Sequence, residues 1–153
     1  MAVVYIGLGS NMGDRAEYLR NAAELILSKC GASLMAESSI KETKAVDFKD
    51  QPDFLNQIIK IKTDLEPVVL LNHLKEIEIE MGRIYRFSKG PREIDIDILL
   101  YNDLVMNENT LKIPHPEILR RDFILEHLAE LDPELTDPVS KKKYSEVLYH
   151  AGI

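Results

Sequence analysis

Phe54-Leu55-Asn56-Gln57-Ile58-Ile59-Lys60-Ile61-Lys62-Thr63 alternates with a period of two. In a strand, successive side chains leave on opposite faces, so Leu55, Gln57, Ile59 and Ile61 share one side while Phe54, Asn56, Ile58, Lys60 and Lys62 share the other. Toward the N-terminus, Lys44 to Asp53 reads as a charged loop and Ser33 to Thr43 as a weaker, more polar strand. Before these, Leu19, Ala22, Ala23, Ile26 and Cys30 recur three or four apart and mark a helix that Asp14 or Asn11 could cap and Gly31 closes. Val3 to Leu8 is a continuous apolar run, expected to be a buried strand. Toward the C-terminus, Pro67 suits the first turn of a second helix whose stripe, Leu70, Leu71, Leu74, Ile77 and Met81, stops at Gly82. Arg83 to Arg92 is a basic segment with Gly90-Pro91, expected to be a mobile loop, and Glu93 to Tyr101 is a strand. A turn at Asn102-Asp103 opens a short hairpin-like segment ending at Ile113, and helical additions follow around Phe123 to Leu131 and Tyr144 to Tyr149. The order strand, helix, strand, strand, helix, strand predicts an α+β sandwich of ferredoxin-like type, with both helices on one face of an antiparallel sheet.

Bulk properties narrow the classes of partner. A chain of 153 residues, 45% hydrophobic and without a Pro, Gly or Ser tract, is expected to fold as one domain over 1–153. Its net charge of -7 and pI near 5.1 argue against a nucleic-acid partner held through backbone phosphates, so any phosphate site must be local. A single cysteine, Cys30, excludes an internal disulfide and a Cys-rich zinc site, which fits a reducing cytoplasm; its place on the helical stripe makes it a core residue. Met1 to Gly7 has no basic region or small-residue cleavage pattern and reads as a strand rather than a signal peptide. No apolar run approaches the roughly 18 residues of a membrane span. Lys141-Lys142-Lys143 reads as a solvated turn before the last helix.

The chemistry is concentrated in Gly90-Pro91-Arg92-Glu93-Ile94-Asp95-Ile96-Asp97-Ile98-Leu99. Strand geometry sends Ile94, Ile96 and Ile98 into the core and Asp95 and Asp97 together to the other face. Two carboxylates roughly 7 Å apart along a strand suit a hard cation that also touches phosphates, although a plain acidic surface has the same alternation. Their company favours the cation: Arg92 lies just upstream, Arg83 and Arg86 share the loop, and His115, between Pro114 and Pro116, precedes Arg120-Arg121. Carboxylates, magnesium and guanidiniums are the equipment of phosphoryl transfer, which depends on positioning and charge neutralisation. The turn Gly7-Leu8-Gly9-Ser10-Asn11-Met12-Gly13-Asp14 has neither the Lys-Ser/Thr ending of a Walker loop nor dinucleotide glycine spacing. It is expected to be a tight strand-to-helix turn that lets backbones approach closely.

Taken in order, Gly7-Leu8-Gly9-Ser10-Asn11, Asp50-Gln51-Pro52-Asp53-Phe54-Leu55-Asn56, Gly90-Pro91-Arg92 through Asp95-Ile96-Asp97, and Pro114-His115-Pro116 with Arg121-Asp122-Phe123 resemble the hydroxymethyldihydropterin pyrophosphokinases nearly from end to end. The resemblance implies a ferredoxin-like fold and transfer of the β,γ-diphosphate of ATP to 6-hydroxymethyl-7,8-dihydropterin, with release of AMP, a step of folate biosynthesis. It implies that Asp95 and Asp97 hold two magnesium ions, that Arg83 and Arg92 act with them in catalysis, and that Glu78, Arg92, Ile98, His115 and Arg121 contact ATP. It places Phe54 and Phe123 on the two sides of the pterin ring, with Thr43, Asn56 and Asp95 also touching pterin. Aromatic rings suit a flat heterocycle, and Asn offers a donor and an acceptor to its polar edge; without the resemblance both Phe residues would read as core. The implied partners are these two small molecules, with no nucleic acid, no membrane, and a cytoplasmic monomer as the acting form. The chain departs from the family at Lys44, where relatives have Pro after Thr, at Ser88-Lys89, where they have Arg-Trp and the loop is one residue longer, and at Pro116, where some have an aromatic. A non-catalytic binding module, an RNA-binding domain, or another magnesium-dependent transferase are the rival readings, and formation of AMP separates them.

Overall fold

The period-two segment becomes β4 (Phe54–Thr63), paired antiparallel along its whole length with β1 (Ala2–Ser10), from Ala2 opposite Thr63 to Ser10 opposite Leu55. The structure is a computed structural model, described over residues 1–45, 50–87 and 90–150. β1 pairs on its other side with β5 (Asp95–Tyr101), and β4 pairs with β2 (Ser33–Glu37) and, further along, with β3 (Lys41–Thr43). The sheet order β2-β4-β1-β5 is antiparallel throughout, and α1 (Arg15–Lys29) and α2 (Pro67–Glu80) complete the expected ferredoxin-like α+β plan. The single polar strand expected over Ser33 to Thr43 is instead two, because buried Ser38 breaks the run. Its hydroxyl oxygen accepts from the Ile58 amide at 2.9 Å, and its own N–H donates to the Ile58 carbonyl at 2.8 Å.

Alternation sorts the side chains as expected. Ile59 and Ile61 of β4, Val4, Ile6 and Leu8 of β1, and Ile94, Ile96 and Ile98 pack with Leu19, Ala22, Ile26 and Cys30 of α1 and Leu70, Leu74 and Ile77 of α2. Asp14 is the residue that caps α1, accepting from the Glu17 amide at 3.2 Å. The second face of the sheet is not bare. Tyr5, Ile58, Leu99 and Leu100 pack there against Ile124, Leu125 and Leu128 of α3 (Asp122–Leu131) and Tyr144 of α4 (Tyr144–His150). The pairing of β1 with β5 slips between Tyr5 and Ile6, which face Leu100 and Ile98 and leave Leu99 as an extra residue. Leu99 and Leu100 therefore join one cluster, while Ile98 joins the other. A small hairpin, β6 (Met106–Asn107) with β7 (Lys112–Ile113), follows β5, and a 3-10 turn over Ile118–Arg120 leads into α3. Lys141 and Lys142 are exposed, as expected of a solvated turn. No described helix is long and apolar enough to cross a membrane.

Candidate active site

α3 and α4 cover only part of the second face, and the uncovered part is a cavity of about 310 Å³ over the ends of β1, β4 and β5. Its walls include Thr43, Phe54, Asn56, Arg92, Asp95, Asp97, His115, Arg121 and Phe123, so most of the residues singled out from sequence converge on one space. Gly7 and Gly9 form its floor. Both lie inside β1 rather than in the turn that follows, and of the turn's glycines only Gly13 has a positive φ, 68°. A Cβ at Gly9 would stand 3.5 Å from Asn56 Oδ1 and 3.7 Å from Phe54 Cδ1, and one at Gly7 3.4 Å from a Leu99 methyl. The missing side chains thus keep the floor low beneath the cavity.

The charged contacts gather around Asp95, with Arg83 reaching it from off the cavity wall. Arg83 Nη1 donates to Asp95 Oδ1 at 3.1 Å and to Glu78 Oε2 at 2.9 Å, and Arg92 Nη1 lies 3.4 Å from Asp95 Oδ2. Asp97 points into the same space and is 38% exposed through the cavity mouth, yet protein atoms crowd it on its other sides. That crowding, and then the Asp95 carboxylate, push the Asp97 carboxyl well above its ordinary range. His115 Nδ1 accepts from the Glu117 amide at 3.1 Å, which assigns the neutral ring's proton to Nε2, 4.0 Å from Asp97 Oδ1. Arg121 Nε donates to Glu117 Oε2 at 2.9 Å.

Two expected nucleotide contacts fall elsewhere. Glu78 is 3% exposed and off the cavity wall; its Oε2 accepts from the Ile96 amide at 2.8 Å as well as from Arg83. It acts as a buried post that aims Arg83, and desolvation raises its pKa against the pull of Lys75 and Arg83. Ile98 is 2% exposed with its side chain in the core between sheet and helices, so that side chain cannot touch a ligand in the cavity. The strand alternation already placed it there.

The basic loop is also tied down more than its charge run implied. Arg86 makes two contacts with Glu93, Nη1 to Oε1 at 3.0 Å and Nη2 to Oε2 at 2.6 Å, and the Ile84 amide donates to the same carboxylate at 3.3 Å. Arg86 thereby holds the Glu93 carboxyl at about 2. Acids from outside the loop offset the mutual repulsion of its arginines, so self-repulsion alone does not free it when ligand is absent. Ser88 and Lys89 lie outside the described residues.

Sequence reasoning missed Asn11, which is 1% exposed. Its Oδ1 accepts from the Arg92 amide at 2.9 Å, its Nδ2 donates to Gln51 Oε1 at 2.8 Å and to the Pro52 carbonyl at 3.1 Å, and its own amide donates to the Arg92 carbonyl at 3.2 Å. One side chain therefore pins the segment before Phe54 to the segment carrying Arg92. No periodic pattern could have announced it; the only signal was an Asn after glycines.

Across β1 from Asp95, Asn56 Nδ2 donates to Thr43 Oγ1 at 2.6 Å and lies 3.4 Å from the Lys41 carbonyl, which turns Oδ1 toward the floor at Gly9. The Arg92 guanidinium lies 5.2 Å from the Phe54 ring centroid, so a flat ligand stacking on Phe54 takes the other face or displaces it. Phe123, at the start of α3, lines the same cavity.

A family profile described as 7,8-dihydro-6-hydroxymethylpterin-pyrophosphokinase (HPPK) matches residues 5–133. The chain belongs to the HPPK family. A 2-amino-4-hydroxy-6-hydroxymethyldihydropteridine pyrophosphokinase of Aquifex aeolicus is 47% identical over 148 residues, spanning 95% of this chain and 90% of that protein. One of the same name from Bacillus subtilis is 43% identical over 84% of this chain and 77% of its own length. The folic acid synthesis protein fol1 of Schizosaccharomyces pombe is 40% identical over 95% of this chain, which spans only 20% of that longer protein. Among solved structures, wild-type Plasmodium falciparum HPPK-DHPS with pteroate matches with a TM-score of 0.77 at 17% identity, over 98% of this chain and 42% of that one. At that identity the likeness speaks for the fold, and the chain spans less than half the length of the solved HPPK-DHPS chain.

Proposed function

We propose that residues 1–153 act as one pyrophosphokinase domain that moves the β,γ-diphosphate of ATP onto the hydroxymethyl group of 6-hydroxymethyl-7,8-dihydropterin in folate biosynthesis. The observation that carries this reading is that one cavity is lined by two sets of groups, the charged and basic side chains of Asp95, Asp97, Arg92, His115 and Arg121, and the aromatic, amide and hydroxyl side chains of Phe54, Phe123, Asn56 and Thr43. A polyphosphate fits the first and a flat ring with a polar edge the second.

Among the described residues no group of three or more His, Cys, Asp or Glu gathers around one point. Magnesium needs no such cage, because it is bound through one or two carboxylates together with substrate phosphates and water. The all-oxygen pair Asp95 and Asp97 suits it, and a cation between them would offset both causes that push Asp97 upward, burial first and then the facing Asp95 carboxylate. Two ions are the expected number. When bound, magnesium neutralises phosphate charge and orients the polyphosphate. The chain's own residues do the rest: Asp95 and Asp97 would hold the cation, and Arg83 and Arg92, which now contact Asp95, would turn their guanidiniums to the phosphates as charge shifts toward the leaving AMP. The pterin hydroxyl oxygen bonds to the β-phosphorus as the bond from that phosphorus to the α,β-bridging oxygen breaks; AMP leaves with the bridging oxygen, and the hydroxyl proton passes to solvent water. Asn56 Oδ1 accepts from the pterin edge, and Phe123 covers its ring. His115 and Arg121 take the nucleotide side, and the enzyme works as a cytoplasmic monomer.

Incubation with Mg-ATP and the reduced pterin, with nucleotides resolved chromatographically, tests the reading. AMP and a pterin diphosphate are expected in equal amounts. ADP, or no pterin-dependent product, rejects it.

A further inference from the structure

His127 lies one helical turn beyond Phe123 on the same face of α3, and it too lines the cavity. It is 2% exposed, and neither ring nitrogen has a hydrogen-bond partner among the described residues. A buried imidazole with nothing bonded costs what an unmade hydrogen bond costs, and burial lowers its pKa, leaving a neutral ring with one donor and one acceptor. Its position along the cavity is fixed by its neighbours on α3. Glu126 pairs with Lys41, and Glu130 accepts from the Ser39 amide and hydroxyl at 2.7 and 2.8 Å. Lys41 is the residue opposite Asn56 in the pairing of β3 with β4. His127 is therefore on the part of α3 that faces β3, whose Lys41 and Thr43 pair with Asn56 and Phe54 of β4.

We propose that His127 is a further pterin-binding residue, whose imidazole turns toward the cavity to exchange a hydrogen bond with the polar edge of the pterin beside Asn56. The inference rests on the pyrophosphokinase reading and extends it to a residue outside the motifs that carry the family resemblance. The ring lines the cavity while both its nitrogens are unpaired, so a ligand in that cavity is the nearest source of the hydrogen bond it does not make. A phosphate-binding role does not fit: the neighbouring carboxylates Glu126 and Glu130 oppose an anion, and Arg92 and Arg121 on the cavity wall already offer guanidiniums to one.

The test compares wild type with His127→Leu, His127→Asn and His127→Gln. Calorimetry measures 6-hydroxymethyl-7,8-dihydropterin in the presence of magnesium and a non-hydrolysable ATP analogue, and the analogue alone. The expected result is a pterin Kd about tenfold weaker in the Leu variant, the equivalent of one lost hydrogen bond, recovered by Asn or Gln according to which nitrogen is used, with analogue binding unchanged. The KM for pterin should rise by more than kcat falls. The ligand-free Leu variant should melt ~2–4 °C higher than wild type, since it no longer buries an unpaired polar ring. Pterin binding as tight as wild type in the Leu variant overturns the inference whatever the melting temperature. Equal loss of both ligands with a lower melting temperature makes His127 a packing residue and overturns it too. Should the Leu variant fail to fold, His127→Phe carries the same comparison. If wild type binds the analogue but no pterin, the pyrophosphokinase reading falls first and takes this inference with it.

Discussion

Replacing Asp97 with Asn should make the ligand-free protein more stable while disabling the enzyme. Asp95 and Asp97 share one face of β5, and their carboxyls come within hydrogen-bonding reach of each other. At a separation of about 4 Å, with an effective dielectric of about 20, two unit charges repel by about 4 kcal/mol. Arg83 and Arg92 offset part of this at Asp95, and Asp97 is 38% open to cavity water, so about 1 kcal/mol is a fair net figure. For a chain of this length that corresponds to a rise of ~2–4 °C in Tm at pH 7. The pH dependence has a definite sign. The folded-state pKa of Asp97 lies above the ordinary 3.8, so below that value both states carry the proton and Asn gains nothing. As pH rises past 3.8 the unfolded chain ionises first and wild type loses stability until the folded-state midpoint, so the gap between variant and wild type opens with pH. Loss of the carboxylate should meanwhile cut turnover by ~10² or more. Scanning calorimetry from pH 4 to 8, together with AMP formation, measures both. A lower Tm in Asp97→Asn, or near-normal turnover, would refute the argument that this carboxylate is held ready for a cation.

Other outcomes follow from the same geometry. Asn56→Ala and Phe123→Ala should weaken pterin binding far more than binding of an ATP analogue in calorimetry, whereas equal weakening would return both to the core. Arg92→Ala should lower turnover by ~10³ or more, as loss of a guanidinium facing transferred phosphate does, and Arg83→Ala should lower it as well; wild-type rates in both would remove the loop from the reaction. Glu93 should titrate near 2 by carbon-detected NMR and move toward its ordinary 4.5 in Arg86→Gln. Its tether to the loop is fully present above 4.5 and is lost only as pH falls through about 2, so an unshifted titration in the variant would contradict the paired contact. Gly9→Ala should keep the fold but raise the KM for pterin, because its methyl stands on the floor beside Asn56.

The strands were legible because two-residue alternation is a direct image of burial: Ile59, Ile61, Ile94, Ile96 and Ile98 could face only one way. The Asp95 and Asp97 pair followed from the same rule. Features that depend on one side chain reaching across the chain left no pattern to read. Asn11 looked like a turn residue or a cap, and Glu78, a carboxylate on a helix, gave no sign that it would be buried beneath Arg83. The arginine loop looked repulsive because its partners Glu78, Glu93 and Asp95 lie outside it or at its edge. His127 sat in an apolar stripe, where a histidine is indistinguishable from packing until its empty hydrogen bonds are seen.

The extra residue at Leu99 acts as a phase change within β5. Up to Ile98 the strand alternates so that its acids face the cavity; beyond Leu99 the alternation restarts one step out of phase, sending Leu100 to the α3 side and Tyr101 to the α1 and α2 side. Deleting one residue there would join the two halves in a single rhythm, and either the acids or Leu100 and Tyr101 would face the wrong side of the sheet. The acid-bearing half and the packing half of this strand are therefore spelled in separate reading frames, each free to vary in sequence without turning the other over.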